Sequence, residues 1–163
     1  MAVACYLDIE TTGLSPRHSV PSVVGLLIAN DFHQWHGEDI TGINILDVIP
    51  SDAMIYTYNG HRFDLPFLDH HLQIGFRRRF RTVDLMFDCW RCGLKGGLKA
   101  VQNKLGLGRL DNETDGYMAV ILWNRWLRDG DREALGRLLA YNREDVEVLP
   151  LLRQKLEMRL QAR

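Results

Sequence analysis

Near residue 60 the spacing of apolar residues changes from that of strands to that of helices, and this switch limits the folds open to the chain. Before it, Ala2 to Ile9 alternates apolar and small residues, and Val23 to Ala29 is a continuous apolar run of the kind found in buried strands. Asp31 turns the chain into a shorter strand, Phe32 to His36, so the three would form an antiparallel meander. Leu14 to Pro21, with Ser, Pro, Arg and His, reads as a loop. Ile40 to Val48 is helical or irregular, and Ala53 to Tyr58 is a further strand stopped by Asn59-Gly60. After the switch, Phe63, Phe67, Leu68 and Leu72 fall at helical spacing in a segment from Phe63 to Ile74 that ends at Gly75. Phe80 to Leu85 reads as the last strand. Helical segments follow over Leu85–Cys92, Leu98–Leu105, Tyr117–Leu127 and Asp131–Arg159. Strands first, with helices around and after them, predict an α/β layered domain.

The chain has 163 residues, which at roughly 150 per domain predicts one domain over 1–163. It contains no internal repeat, low-complexity stretch or linker. A hydrophobic content of 46% with 25% charged residues excludes a disordered or collagen-like chain. No run approaches the roughly 18 apolar residues of a membrane span, and no signal-peptide pattern opens the sequence, so no membrane role is expected. The cysteines Cys5, Cys89 and Cys92 are odd in number and suit a reducing, cytoplasmic setting. Cys89 and Cys92 form a lone C-W-R-C in a helical segment, without the second pair a zinc site needs, and read as structural. A formal net charge of -1 does not mark a nucleic-acid binder by itself.

Three segments carry chemistry. The first strand ends in Asp8-Ile9-Glu10-Thr11-Thr12-Gly13-Leu14. Residues two apart on a strand share a face, so Asp8 and Glu10 present paired carboxylates. Such a pair is either solvated or held by a hard cation such as Mg²⁺ or Mn²⁺, since two close carboxylates resist joint ionisation. The second segment is Tyr58-Asn59-Gly60-His61-Arg62-Phe63-Asp64, where a strand end, a tight turn and a helix start put Asp64 in the first helical turn. There it either favours the helix N-terminus or serves the same site. The third is Tyr141-Asn142-Arg143-Glu144-Asp145-Val146. Tyr141 and Asp145 lie one turn apart on the face shared with Leu138, Leu149 and Leu152. An inward Asp needs a partner. Glu144 and Glu147 are expected on the solvated side.

Taken together, D-I-E-T-T-G-L, Y-N-G-x-x-F-D and Y-x-x-x-D resemble the motifs of the DEDD superfamily of 3′-5′ exonucleases, in its tyrosine-bearing subclass. The histidine subclass would place His where this chain has Ala140. Gly97-Leu98-Lys99, Leu105-Gly106-Leu107 and the ending Tyr141-Asn142-x-x-Asp145-Val146 look most like the YprB-like branch, so the resemblance spans nearly the whole chain. It implies a ribonuclease-H-like fold with a central mixed sheet whose first three strands are antiparallel, flanked by helices. It also implies two ions, Mg²⁺ or Mn²⁺, about 3.5–4 Å apart, held by Asp8, Glu10, Asp64 and Asp145 with Asp8 bridging. Tyr141 would orient the attacking water, a phenol with a pKa near 10 being a poor base. The implied reaction is phosphodiester hydrolysis at a single-stranded DNA or RNA 3′ end, releasing nucleoside 5′-monophosphates.

Thr11, Thr12, Gly13 and Leu14 would hold the terminal nucleotide, and Asn59 and Phe63 sit where relatives touch the substrate strand. Asn59 would otherwise close the turn and Phe63 would otherwise be core. Asp84 reads as structural. Setting four site carboxylates aside from 21 acids leaves 17 against 20 bases. Arg77-Arg78-Arg79-Phe80-Arg81, with Lys95, Lys99, Lys104, Arg109 and the nearby Trp90, would either track a phosphate backbone or form a solvated turn. Two other functions fit the same residues: a structure-selective endonuclease, or a nucleic-acid-binding module with little turnover. The helical region Leu94–Asp129 is expected to carry specificity.

Overall fold

The first strand takes the centre of the sheet because both of its faces can be covered. In the computed structural model, which describes residues 2–162, β1 (Ala4–Thr11) pairs antiparallel with β2 (Pro21–Ile28) and parallel with β4 (Met54–Thr57). β3 (Asp31–His36) is antiparallel to β2 at one edge, and β5 (Arg81–Asp84) is parallel to β4 at the other. The sheet order is β3-β2-β1-β4-β5. Met1 and Arg163, the ends of the expected 1–163 domain, lie outside the described residues.

Alternation along β1 assigns each face. Cys5, Leu7 and Ile9 pack with Leu65, Phe67 and Leu68 of α2 (Asp64–Leu72) and with Ile45 of α1 (Gly42–Leu46). Tyr6 looks the other way, into a cluster with Tyr56, Leu149 and Leu152 beneath α7 (Arg132–Gln161). Val23 joins Leu122 and Trp123 of α6 (Gly116–Asp129) and Leu138 of α7 in a third cluster. Each fully buried aliphatic side chain is worth about 1.5–3 kcal/mol, so a one-residue slip of β1 would forfeit both faces at once. The expected α/β mixed sheet with three antiparallel leading strands, flanked by helices, is what forms.

The boundaries differ where tertiary pairing overrides local pattern. β1 runs to Thr11 because Glu10 pairs with Val23 and Thr11 with Pro21 across a register shift, so Asp8 and Glu10 lie within the strand. A bulge of this kind re-aims side chains at a strand end. The arginine run forms the short helix α3 (Phe76–Arg79), started at Gly75 (φ 71°), where Asp69 Oδ1 accepts from the main-chain nitrogens of Gly75 and Phe76. The Leu94–Asp129 region is not continuously helical. After α4 (Leu85–Arg91), α5 (Leu98–Leu105) and α6 are separated by an irregular loop over 106–115. All three cysteines are buried and unpaired in disulfides. Among the described residues, no helix is long and apolar enough to cross a membrane.

Candidate metal centre

Asp8, Glu10 and Asp145 offer carboxylate oxygens that all lie within 4.8 Å of one another. β1 supplies the first two from one face, and α7, crossing that face, supplies the third. Glu10 and Asp145 are each 7% exposed. The buried stripe of α7 explains why an acid is held inside. Ala134, Leu138, Asn142, Asp145, Leu149, Leu152 and Leu156 recur at three- and four-residue steps, and two polar residues interrupt an otherwise apolar seam.

Asn142, present in the third motif without a role assigned to it, holds Asp8. Its Nδ2 donates to Asp8 Oδ2 (3.0 Å) and to the Asp8 main-chain oxygen (3.2 Å). Gln34 Nε2 in turn donates to Asn142 Oδ1 and to Leu139 O, both at 2.9 Å. Asp8, Gly25 and Gln34 form one row across three strands. Gly25 leaves the space Asn142 occupies, since a Cβ there would come within 2.4 Å of Asn142 Oδ1. The signal was present in the sequence as the spacing Leu138–Asn142–Asp145, on the inward face.

Asp64 enters from the first turn of α2 and is 4% exposed. It stands beside the group of three without joining it, and its Oδ1 accepts from Ile9 N at 3.1 Å, which ties it to β1 between Asp8 and Glu10. The turn delivering it depends on Asp84. That carboxylate accepts from Asn59 N (2.8 Å), His61 N (3.1 Å) and Met86 N (3.1 Å), so it is structural, as expected. Asn59 adopts φ 62°, a left-handed conformation that Asn tolerates, and Gly60 lies where a Cβ would collide with Thr57.

Arg109 corrects the surface reading. Expected beside the lysines either to track a phosphate backbone or to lie in a solvated turn, it has a side chain only 1% exposed, with Nη1 2.5 Å from Asp145 Oδ1. Its guanidinium stacks over Tyr141, 4.9 Å from the ring centroid. Glu144 is also not a solvated decoration: it accepts from the main-chain nitrogens of Leu110 and Asp111 and so tethers the 106–115 loop to α7. Glu147 does lie at the surface, paired with Arg143. Nothing in the spacing linked Arg109 to Asp145, because an irregular loop joins them only in three dimensions.

The site is short of positive charge. Burial, then the charges of Asp64, Asp145 and Glu10, push the Asp8 carboxyl well up, while Asn142 opposes the shift. Burial and the charges of Asp145 and Asp64 do the same to Glu10. Burial pushes Asp64 up to about 7. Asp145 is raised by burial and held back by Arg109. Burial and neighbouring Asp145 and Glu10 raise the Tyr141 phenol. Four clustered carboxylates with one guanidinium and only oxygen donors fit a hard divalent ion such as Mg²⁺ or Mn²⁺.

Beside the carboxylates opens a cavity of about 450 Å³ lined by Ile9 to Leu14, Phe63, Gly116, Tyr117 and Val120. Thr11, Thr12, Gly13, Leu14 and Phe63 therefore gather at one wall, and Asn59 does not line it. The threonine hydroxyls shape the loop: Thr11 Oγ1 donates to Gly13 O (2.7 Å) and Thr12 Oγ1 accepts from Val20 N (3.0 Å). Leu14 is 88% exposed, and Phe63 leans on Phe67. The arginine run is elsewhere, since Arg81 begins β5 and Asp84, at the carboxylate end, closes it.

A mixed sheet with this order, carrying acids on its central strand and a further acid on the crossing C-terminal helix, defines the ribonuclease-H-like class. A sequence model of the RNase H superfamily matches residues 5–157, and the chain belongs to that superfamily. Among solved structures it is similar to Brucella melitensis NrnC bound to pGG, with TM-score 0.71 and 20% identity over 99% of this chain and 75% of that one. NrnC with bound Mg²⁺ gives TM-score 0.69 and 22% identity over the same shares. The zinc-bound E. coli ExoI–ssDNA complex gives TM-score 0.52 and 14% identity, over 86% of this chain and 42% of that one. At these identities the likeness is one of fold. No curated protein matches the chain.

Proposed function

We propose that this chain is a metal-dependent nuclease, a 3′-5′ exonuclease that hydrolyses single-stranded nucleic-acid ends and releases nucleoside 5′-monophosphates. The observation that carries the reading is the convergence of Asp8, Glu10 and Asp145 within 4.8 Å, with buried Asp64 alongside. The superfamily, the Mg²⁺ held by NrnC and the single strand held by ExoI support it. Asp8, Glu10, Asp64 and Asp145 would hold two Mg²⁺ or Mn²⁺ ions. Bound there, such ions supply an acidified water and charge for the leaving oxygen. Asn142 fixes the Asp8 carboxylate and Asp64 braces against Ile9 N, so little reorganisation is needed on loading. Tyr141, with its phenol pushed up, keeps its proton and orients the water as a donor. The cavity walled by Thr11 to Leu14 and Phe63 would take the terminal nucleotide, and Asn59 would contact the strand from the turn.

The test is 5′-labelled single-stranded DNA and RNA incubated with Mg²⁺ or Mn²⁺, with Asp8→Ala as control. A ladder shortening from the 3′ end, absent in the control, is the expected result. Internal cuts would replace the exonuclease by an endonuclease. Binding without cleavage would leave a nucleic-acid-binding module.

A further inference from the structure

Arg109 reaches the carboxylates from the loop between α5 and α6, and three of its nitrogens have different fates. Nη1 donates to Asp145 Oδ1 and to Gln102 Oε1 (2.9 Å), and Nε donates to Asp111 O (2.8 Å). Nη2 is buried and has no hydrogen-bond partner. A buried guanidinium N–H without an acceptor is unfavourable, and it marks a place where a bound acceptor would gain most. The loop is built to hold the residue there. Glu144 accepts from Leu110 N and Asp111 N on one side. The Asp111 carboxylate accepts from Glu113 N (2.9 Å), Thr114 N (2.8 Å) and Arg137 Nε (3.3 Å) on the other. The backbone is pinned around Arg109, so a change of acceptor falls to its side chain.

A divalent ion held with Asp8 and Glu10, and the Arg109 guanidinium, draw on the same Asp145 carboxylate. We propose that Arg109 is the exchangeable cation of this site: it neutralises Asp145 while no ion is bound there, and once an ion takes that carboxylate it donates its guanidinium to a phosphate oxygen of the substrate strand. The planar fork of arginine suits a phosphate better than any other side chain, and Tyr141 supplies a flat face along which it can turn. The substrate half of this inference rests on the nuclease reading above. The competition with metal does not.

The experiment is calorimetric titration of the metal-free protein with Mn²⁺, for the wild type, Arg109→Gln, Arg109→Lys and Asp145→Asn. The same proteins are then titrated with a fluorescein-labelled single-stranded oligonucleotide in Ca²⁺. Arg109→Gln should bind Mn²⁺ about tenfold more tightly, because its competitor is gone, and the oligonucleotide about tenfold more weakly. Arg109→Lys, which keeps the charge but loses the fork, should fall between and carries the comparison if the Gln variant does not fold. Unchanged Mn²⁺ affinity in the Arg109 variants, with binding lost in Asp145→Asn, would overturn the exchange and leave the metal site standing. Unchanged oligonucleotide affinity would overturn the phosphate contact. No Mn²⁺ binding by any of the proteins would overturn both this inference and the nuclease reading.

Discussion

Asp84 and the Asp8–Glu10–Asp145 group, in which Asp8 is half-buried and the other two buried, are acids at the same end of one sheet, satisfied in opposite ways. Asp84 closes β5, is 3% exposed, and receives three main-chain N–H groups from the Asn59 turn and the start of α4. Its charge is settled by the chain's own backbone. Asp8, Glu10 and Asp145 face one another with Asn142 and Arg109 as their main polar neighbours, and their carboxyls are pushed up. A carboxylate ringed by backbone donors belongs to the architecture. Carboxylates left facing each other call for a ligand from outside.

The comparison can be broken most decisively at the group of three. Asp8→Asn should lower nuclease activity by more than about 10³-fold while leaving the metal-free protein as stable or steadier, since repulsion from Asp64, Asp145 and Glu10 is relieved. Activity assays beside thermal melts check both halves, and a destabilised, active variant would reverse the assignment. Asp84→Ala should behave oppositely, losing about 3 kcal/mol in urea denaturation because several buried N–H groups lose their acceptor. Gly25→Ala should cost about 1–3 kcal/mol by forcing Asn142 and Val146 away from β2, with activity falling alongside. Retained activity would separate the Asn142–Asp8 contact from function.

The smallest expected effect is a pH dependence. Asp64 in the folded, metal-free protein titrates near 7, above its ordinary value of 3.8. Between those values the folded state binds the extra proton, so stability is greatest at low pH and declines as pH rises towards 7. Melting temperatures between pH 5 and 8 should fall by several degrees without metal. Added Mg²⁺ should flatten the decline, because the ion replaces the proton.

Most of the scaffold was legible in the chain, because strand and helix periods report which face is buried. Alternation in β1 put Asp8 and Glu10 on one face, and the α7 stripe put Asp145 inward. Asn142 was legible on the same stripe and within the third motif, where an amide among leucines asks for a partner, yet no spacing named Asp8 as that partner. Arg109 and Glu144 were not legible. Loops have no period, and the distance from a loop arginine to a helical aspartate is set by how α5 and α7 pack.

The residue types and spacings by themselves determined an α/β chain with carboxylates directed at one end of a sheet, since periodicity acts over a few residues. Tertiary structure alone decided that Asp64 leans on Ile9, that Gly25 makes room for Asn142, and that Arg109 lies against Asp145. Those are contacts between segments tens to more than a hundred residues apart. Packing of the whole core fixes them, so no local pattern can encode them.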